Sequence, residues 1–135
     1  MIKEVSDMTF LNQQTADLIS LAINKDKVDE LLRRAILNNK ETCFVYEQDY
    51  NVVGVITIKN SDNICHITSL ATSSNHQLRG IGTQLINHIK ETNDYIIAET
   101  DDDAVNFYRK QNFVIEPLGE KYPGVKRYKC IYRKY

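Results

Sequence analysis

Three consecutive runs of β-branched and aromatic residues dominate the middle of the chain. They cover residues 42–47, 52–59 and 64–72, and the short polar segments between them, QDYN and NSDN, are typical of turns. Links this short cannot make a crossover, so they favour antiparallel neighbours. The pattern therefore predicts a three-stranded meander.

A second pattern repeats apolar residues every three or four positions, which predicts amphipathic helices. One such stripe precedes the meander and another follows it. Their members are Val28, Leu31, Leu32, Ala35 and Ile36 in the first, and Ile81, Leu85, Ile86 and Ile89 in the second. Leu18, Leu21 and Ala22 indicate a further, weaker helical face before the first stripe.

The remaining segments complete an alternating order of strands and helices. Residues 2–5 alternate as a short first strand, and residues 95–99, apolar on both faces, predict a central strand. Acidic residues 101–103 suit the positive end of a helix that we expect to reach about Lys110, where Asn112 can adopt the left-handed conformation that stops it. Residues 113–115 and 125–132 supply the last strands. The order β-α-α-β-β-β-α-β-α-β-β predicts an α/β fold, with residues 1–135 as one domain.

Composition narrows the class of protein. A hydrophobic content of 42%, a charged content of 26% and a net charge of −1 are those of a soluble globular domain and argue against a generally basic nucleic-acid binder. No apolar run approaches the roughly 20 residues that span a membrane, and the N-terminus lacks the pattern of a signal peptide. We therefore expect a cytoplasmic protein that neither spans nor binds a membrane.

The three cysteines lead to the same expectation. Cys43, Cys65 and Cys130 are widely spaced, with no CxxC pair and no neighbouring ligand cluster. This spacing argues against a disulfide framework and against a metal site. It predicts buried free thiols in a reducing compartment.

The stretch HQLRGIGT, residues 76–83, joins the third strand of the meander to the next helix. The first N–H groups of a helix and its positive dipole end bind anions, and glycines at 80 and 82 allow a ligand to approach the backbone. A tight turn with a close helix–sheet contact would explain the same glycines. Leu85 stands where a dinucleotide fingerprint needs its third glycine, and no lysine follows Gly82 as a P-loop requires.

A third motif fits this stretch. Gln77-x-x-Gly80-x-Gly82, within LATSSNHQLRGIGTQLINHIK, resembles the [RQ]-x-x-G-x-[GA] signature of the GNAT superfamily of acyl-CoA N-acyltransferases, and especially its histone acetyltransferase branch. AVNFYRKQNF resembles the A-x-x-F-Y-x-K-x-G-F helix of the same family, with Asn112 in place of glycine. The resemblance implies a mixed, mostly antiparallel sheet flanked by about four helices and splayed between the strands at 64–72 and 95–99.

The resemblance also implies acetyl-CoA as co-substrate and no metal. The amides of residues 78–83 would hold the pyrophosphate of coenzyme A, and the strand end before them would bind its pantetheine arm. Phe107 would be a wall for that arm or an ordinary core residue. The implied cofactor-binding residues are Leu70, Ala71, Thr72, Gln77, Leu78, Arg79, Gly80, Ile81, Gly82, Thr83 and Phe107.

Two catalytic residues follow from the same resemblance. Tyr108 matches the tyrosine beside the CoA sulfur and would be the general acid, unless it is an ordinary half-buried tyrosine. His66 stands where the histone acetyltransferase branch carries its glutamate base, unless it is a hydrogen-bonded histidine beside the core. Glu99 or a water molecule is an alternative base. Direct transfer is expected, because neighbours on a strand face opposite ways and Cys65 cannot pair with His66.

Strand alternation makes a further, specific prediction about this region. It places His66, Thr68 and Leu70 on one face of the strand. It places Cys65, Ile67 and Ser69 on the other.

The predicted function is acetyl-CoA-dependent N-acetylation of a primary amine on a small molecule or a protein. Glu99 and the acidic residues 101–103 are either an attraction for a cationic acceptor or a solvated helix start. The alternative function is a non-catalytic acyl-CoA-binding or interaction module, since position 66 lacks a carboxylate. The chain is expected to be a monomer or a homodimer.

Overall fold

A computed structural model describes residues 2–4, 41–49, 51–73 and 80–135, except for the side chains of residues 121 and 122. Within these ranges two helices accompany a seven-stranded sheet. The strands are β1 Ile2–Glu4, β2 Thr42–Gln48, β3 Asn51–Ser61, β4 Ile64–Thr72, β5 Tyr95–Asp101, β6 Val114–Tyr122 and β7 Val125–Arg133. The helices are α1 Ile81–Lys90 and α2 Val105–Lys110. The two helices predicted before residue 40 lie outside the described residues.

The sheet has the order β1-β2-β3-β4-β5-β7-β6. All neighbours are antiparallel except β4 and β5, which run parallel. The predicted meander is thus confirmed as β2, β3 and β4, and the predicted central strand is β5. The mixed, mostly antiparallel α/β fold is also confirmed.

The parallel pair is joined over only a short length. Cys65 pairs with Ile96 and His66 with Ile97, whereas β4 continues to Thr72. On its other side β5 pairs with β7 from Tyr95 to Asp101 without interruption. The sheet is therefore open between β4 and β5 beyond His66, as predicted. We call this opening the split.

Helix α1 packs its apolar stripe on the sheet beside the split. The four residues predicted to be buried are all 2% exposed or less: Ile81, Leu85, Ile86 and Ile89. On β3, Gly54 makes this contact close, because a Cβ built there would lie 2.7 Å from Ile81 Cγ2 and 3.2 Å from Leu85 Cδ1. Gly54 therefore sets how near the start of α1 lies to the strand.

The alternation predicted for β4 is wrong, because the strand contains a bulge. Thr57 pairs with Ser69 but the next residue of β3, Ile58, pairs with Ile67, so Thr68 is an extra residue. One inserted residue reverses the alternation of every residue beyond it. Ser69 therefore shares the face of His66. Leu70 shares the face of Cys65 and Ile67.

The start predicted for α2 is also wrong. Strand β5 runs to Asp101, residues 102–104 form a turn, and the helix begins at Val105. The carboxylate Oδ1 of Asp101 accepts a hydrogen bond of 3.0 Å from the backbone N–H of Asp103. Because short polar side chains compete with helical hydrogen bonding, the acidic residues form this turn and lie ahead of the helix.

The end of α2 is as predicted. Asn112 has a φ of 68°, and its N–H donates to the Arg109 carbonyl at 3.1 Å. The N–H of Phe113 donates to the Tyr108 carbonyl, also at 3.1 Å, which completes a Schellman motif. The rings of Tyr108 and Phe113 lie 5.3 Å apart, so this helix end also holds Tyr108.

The last hairpin is longer than the sequence pattern indicates. Strand β6 was expected at 113–115 but extends to Tyr122, because its pairing with β7 continues through register shifts between Pro117 and Gly119 and between Glu120 and Tyr122. Bulges of this kind break the two-residue periodicity that identifies a strand in sequence.

We predict that Gly54→Ala destabilises the protein by about 1–3 kcal/mol, because the new methyl group overlaps Ile81. Chemical denaturation measures the change in free energy of unfolding. In an Ile81→Ala background the overlapping methyl is gone, so the same substitution should cost much less. A Gly54→Ala protein as stable as the original would contradict the close contact.

Candidate active site

Three elements meet at the split: the end of β4, the start of α1 and helix α2. A Cβ built on Gly82 would lie 3.9 Å from Thr72 Cγ2 and 3.2 Å from two ring carbons of Phe107. Thr72, Gly82 and Phe107, which are far apart in sequence, are thus close together in the fold. Gln77, Leu78 and Arg79 lie outside the described residues.

Gly80 is required for its backbone conformation. It is the N-cap of α1 with φ 76° and ψ 15°, in the left-handed region, and a Cβ there would meet no atom of the described residues within 4 Å. A glycine offers no side chain to cap the helix, and no acidic residue lies in the first turn. The carbonyl of Gly80 accepts from Gln84 N–H at 3.0 Å. The N–H groups of the first turn are therefore suited to bind an anion.

Gly82 is required for space. At 3.2 Å, the Phe107 ring is too close for an ordinary Cβ contact, so this glycine is explained by a close approach of α1 and α2. The tight-contact explanation thus applies to Gly82. Phe107 itself is half-buried, packs against the core and lies edge-on to Tyr108 at 5.4 Å between ring centroids.

A hydrogen bond that the sequence did not reveal ties the first turn of α1 to the end of α2. Gln111 Nε2 donates to Thr83 Oγ1 at 2.9 Å, and Gln111 is only 8% exposed. Lys90 Nζ donates to the Gln111 carbonyl oxygen at 2.5 Å. In sequence, Gln111 looks like an ordinary polar residue at a helix end, so its burial could be found only from the packing of the two helices.

Tyr108 is more deeply buried than a half-buried tyrosine. It is 6% exposed and belongs to the same core cluster as Cys65, Ala98 and Cys130. Burial, with a smaller contribution from the charge of Cys130, raises the pKa of its phenol well above the ordinary value of about 10. Its hydroxyl makes no hydrogen bond to any of the described residues. The phenol is therefore a protonated, buried donor that is available to a ligand.

His66 lies at the last residue pair before the split and is half-buried. Its cross-strand partner on β3 is Lys59, and this face is opposite to the one that carries Ile58, Cys65 and helix α1. Tyr108 belongs to the same core cluster as Cys65. The two predicted catalytic residues consequently lie on opposite sides of the sheet and can act on one substrate only through the split.

Glu99 lies on the His66 side of the sheet, two residues along β5 from Ile97. Its side chain is 40% exposed, and Oε1 lies 3.3 Å from Arg127 Nε. An exposed ion pair of this kind contributes little to stability, and it engages one oxygen of the carboxylate.

The cysteines are buried free thiols, as predicted. Burial raises the pKa of the Cys43 thiol to about 12, and those of Cys65 and Cys130 to about 11. Thiols with such pKa values stay protonated at neutral pH and are poor nucleophiles. Cys65 and His66 also face opposite sides of β4, so they do not form a catalytic couple.

The described part of the chain offers neither a metal site nor a membrane-spanning helix. No group of three or more His, Cys, Asp and Glu residues is placed to hold a metal ion there. In those same ranges, no helix combines the length and the apolar character needed to cross a membrane.

Two sequence comparisons with known proteins identify relatives of this chain. Residues 10–121 match the family model described as the acetyltransferase (GNAT) domain. Histone acetyltransferase GCN5 of Debaryomyces hansenii is 35% identical over 77 residues, which is 51% of this chain but only 17% of that protein.

Solved structures share the fold over nearly the whole chain. A Bacillus subtilis acetyltransferase in complex with CoA is 22% identical, with a TM-score of 0.73 over 98% of this chain and 97% of that one. An aminoglycoside 6'-N-acetyltransferase complexed with coenzyme A is 17% identical, with a TM-score of 0.77 over 100% and 97%. The family match spans most of the sequence, and the fold and the split agree with it. The chain therefore belongs to the GNAT acetyltransferase family.

Proposed function

We propose that the protein transfers the acetyl group of acetyl-CoA directly to a primary amine. The observation that carries the proposal is the split itself, which has at its mouth a helix N-terminus whose N-cap, Gly80, supplies no capping side chain, and a buried phenol on one side. In this proposal the pyrophosphate lies on the amides of residues 78–83, beside the side chains of Gln77 and Arg79. The general affinity of helix N-termini for phosphate groups supports this position.

The pantetheine arm would lie along Leu70, Ala71 and Thr72. These residues are in β4 beyond its pairing with β5, so peptide groups on that edge are available to a ligand. The pantetheine arm is an extended chain of amides and methylenes, so it can form hydrogen bonds to such an edge as another strand would. Phe107, packed against Gly82, would close the end of the groove.

Tyr108 would act on the leaving sulfur. A phenol whose pKa is raised above about 10 does not readily transfer its proton to a thiolate whose conjugate acid has a pKa of about 8.5. It can donate a hydrogen bond that stabilises the developing negative charge on sulfur, and this assists departure without complete proton transfer. The role is therefore that of a hydrogen-bond donor, which is weaker than a full general acid.

His66 would accept the proton of the amine, directly or through a water molecule. An amine must be unprotonated to attack the thioester, and an imidazole can take up that proton near neutral pH. Because His66 and Tyr108 lie on opposite sides of the sheet, the acceptor would enter from the His66 side. CoA would approach from the side of α1 and α2.

The acceptor is proposed only as a class, a primary amine of a small molecule or a protein. The relatives named above carry a histone and an aminoglycoside in their names, so family membership does not select between these kinds. The acidic residues near the split are partly occupied by other contacts. Asp101 accepts from Asp103, and Asp102 accepts from the Tyr128 hydroxyl at 2.5 Å. The three buried free thiols support a reducing, cytoplasmic location.

The proposed activity is tested by incubating the protein with acetyl-CoA and a panel of primary amines that includes aminoglycosides, polyamines and lysine peptides. We expect free CoA thiol to be released only with certain amines, together with an equal amount of acetylated product detected by mass spectrometry. Reactions without amine control for thioester hydrolysis. Binding of acetyl-CoA by calorimetry with no turnover on any amine would favour the alternative, a non-catalytic acyl-CoA-binding module.

We predict that Tyr108→Phe lowers kcat about tenfold to a hundredfold while the affinity for CoA changes less than about twofold, because only the hydrogen bond to sulfur is lost. Steady-state kinetics and calorimetry separate the two effects. Tyr132→Phe removes a hydroxyl from a half-buried ring packed on the same cluster and should leave kcat unchanged. Equal rates for the Tyr108 variant and the original protein would exclude this role.

We predict that His66→Gln removes the part of the rise in kcat/KM with increasing pH that a general base contributes. The sign follows from the role, because a base works in its deprotonated form and its fraction grows with pH. The raised pKa of Tyr108 means that loss of the phenol proton does not lower the rate below about pH 10. His88→Gln is the matched control. A variant profile that overlays the original one would rule out His66 as the base.

A further inference from the structure

We propose that a buried cluster of one carboxylate and three hydroxyls positions the edge of β4 that lines the split. The cluster consists of Glu41, Thr57, Thr68 and Ser69. These are positioning residues that act through the backbone of β4. The proposal rests on the function above where it concerns binding of acetyl-CoA.

The cluster is connected by short hydrogen bonds. Thr57 Oγ1 lies 2.6 Å from Thr68 Oγ1 and 2.5 Å from Ser69 Oγ. Thr68 Oγ1 donates to Glu41 Oε2 at 3.1 Å. One hydroxyl on β3 thus contacts two consecutive residues of β4, and the first of these also contacts a carboxylate from just before β2.

Three of the four residues of the cluster are buried, and Thr68 is half-buried. Glu41 is 4% exposed, Thr57 is fully buried and Ser69 is 5% exposed. Polar groups at this depth are costly without hydrogen bonds, and a carboxylate acceptor makes a hydrogen bond stronger than a neutral one does. The arrangement therefore fixes its members far more firmly than exposed hydroxyls would be fixed.

The position of the cluster in the sheet is what links it to the split. Thr68 is the extra residue of the β4 bulge, and Ser69 is the residue at which pairing with β3 resumes through Thr57. The last pair between β4 and β5, His66 with Ile97, lies two residues before Thr68. The bulge and the split thus begin within one short stretch of the same strand.

A bulge at this point determines which backbone groups face the split. Successive peptide groups of a strand point alternately to its two neighbours, and an extra residue reverses that alternation. Without the bulge, those N–H and C=O groups of Leu70, Ala71 and Thr72 that now face the split would point to β3, and those that now pair with β3 would face the split. The hydroxyls on Thr68 and Ser69 hold the bulge in one place, so they hold the edge available to the pantetheine arm.

The test compares Thr68→Val, which keeps the shape and removes the hydroxyl, with Thr68→Ser, which keeps the hydroxyl. We expect the dissociation constant of CoA and the KM of acetyl-CoA to rise about tenfold in the valine variant. In the serine variant both should return to within about twofold of the original values. The KM of the amine should change much less than that of acetyl-CoA.

The matched control is Cys43→Ala. Cys43 is the cross-strand partner of Thr57, is fully buried and lies outside the hydrogen-bonded cluster. Loss of its sulfur should lower the melting temperature without changing the affinity for CoA. If the Thr68 and Cys43 variants lose affinity equally, or neither loses it, the cluster is only structural and the proposal is overturned.

Two further measurements keep the outcome decisive. If Thr68→Val does not fold, Ser69→Ala removes a single hydroxyl, and a loss of CoA affinity of about threefold is expected from it. If the original protein binds no acetyl-CoA, the proposed function fails, and hydrogen exchange then tests the cluster alone. Faster exchange of the amides at 67–72 in a Thr68 or Ser69 variant than in Cys43→Ala supports the positioning role, and equal exchange overturns it.

Discussion

The end of pairing between β4 and β5 is the constraint on which the rest of this molecule depends. Two parallel strands normally exchange hydrogen bonds along their whole shared length, and here they do so only at Cys65–Ile96 and His66–Ile97. Beyond these pairs, β4 stays attached to β3, and β5 stays attached to β7. The sheet therefore keeps its continuity at one end and opens at the other. Helix α1 begins at that open end, and α2 packs beside it through Phe107.

The sequence predicts much of this architecture because most of its signals are local. The apolar stripe of α1, the meander and the left-handed C-terminal residue Asn112 of α2 each depend on residues that are close in sequence. All three are found in the structure. The polar residues at 101–103 are ambiguous for the same reason. A helix start and an Asx turn use the same side chains, and only the continuation of β5 against β7 selects the turn.

The features that the sequence does not predict depend on contacts between distant segments. The bulge at Thr68 depends on hydroxyls of β3 and a carboxylate before β2, so the strand pattern alone assigned Ser69 and Leu70 to the wrong faces. The Gln111–Thr83 bond joins residues that are 28 positions apart in sequence, so it depends on the approach of two separate helices. The two glycines of the loop look alike in sequence, but Gly80 provides a backbone angle and Gly82 provides room for a ring.

The placement of His66 and Tyr108 on opposite sides of one sheet has a consequence for how such a protein can diversify. Each side can acquire substitutions with little effect on the other, because the sheet separates the two sides and they communicate only through the split between β4 and β5. Substitutions on the His66 side can therefore accumulate while the side that carries α1 and α2 stays constant. For the same reason, a molecule that threads the gap and is anchored on both sides would combine two separate sets of contacts in a single inhibitor.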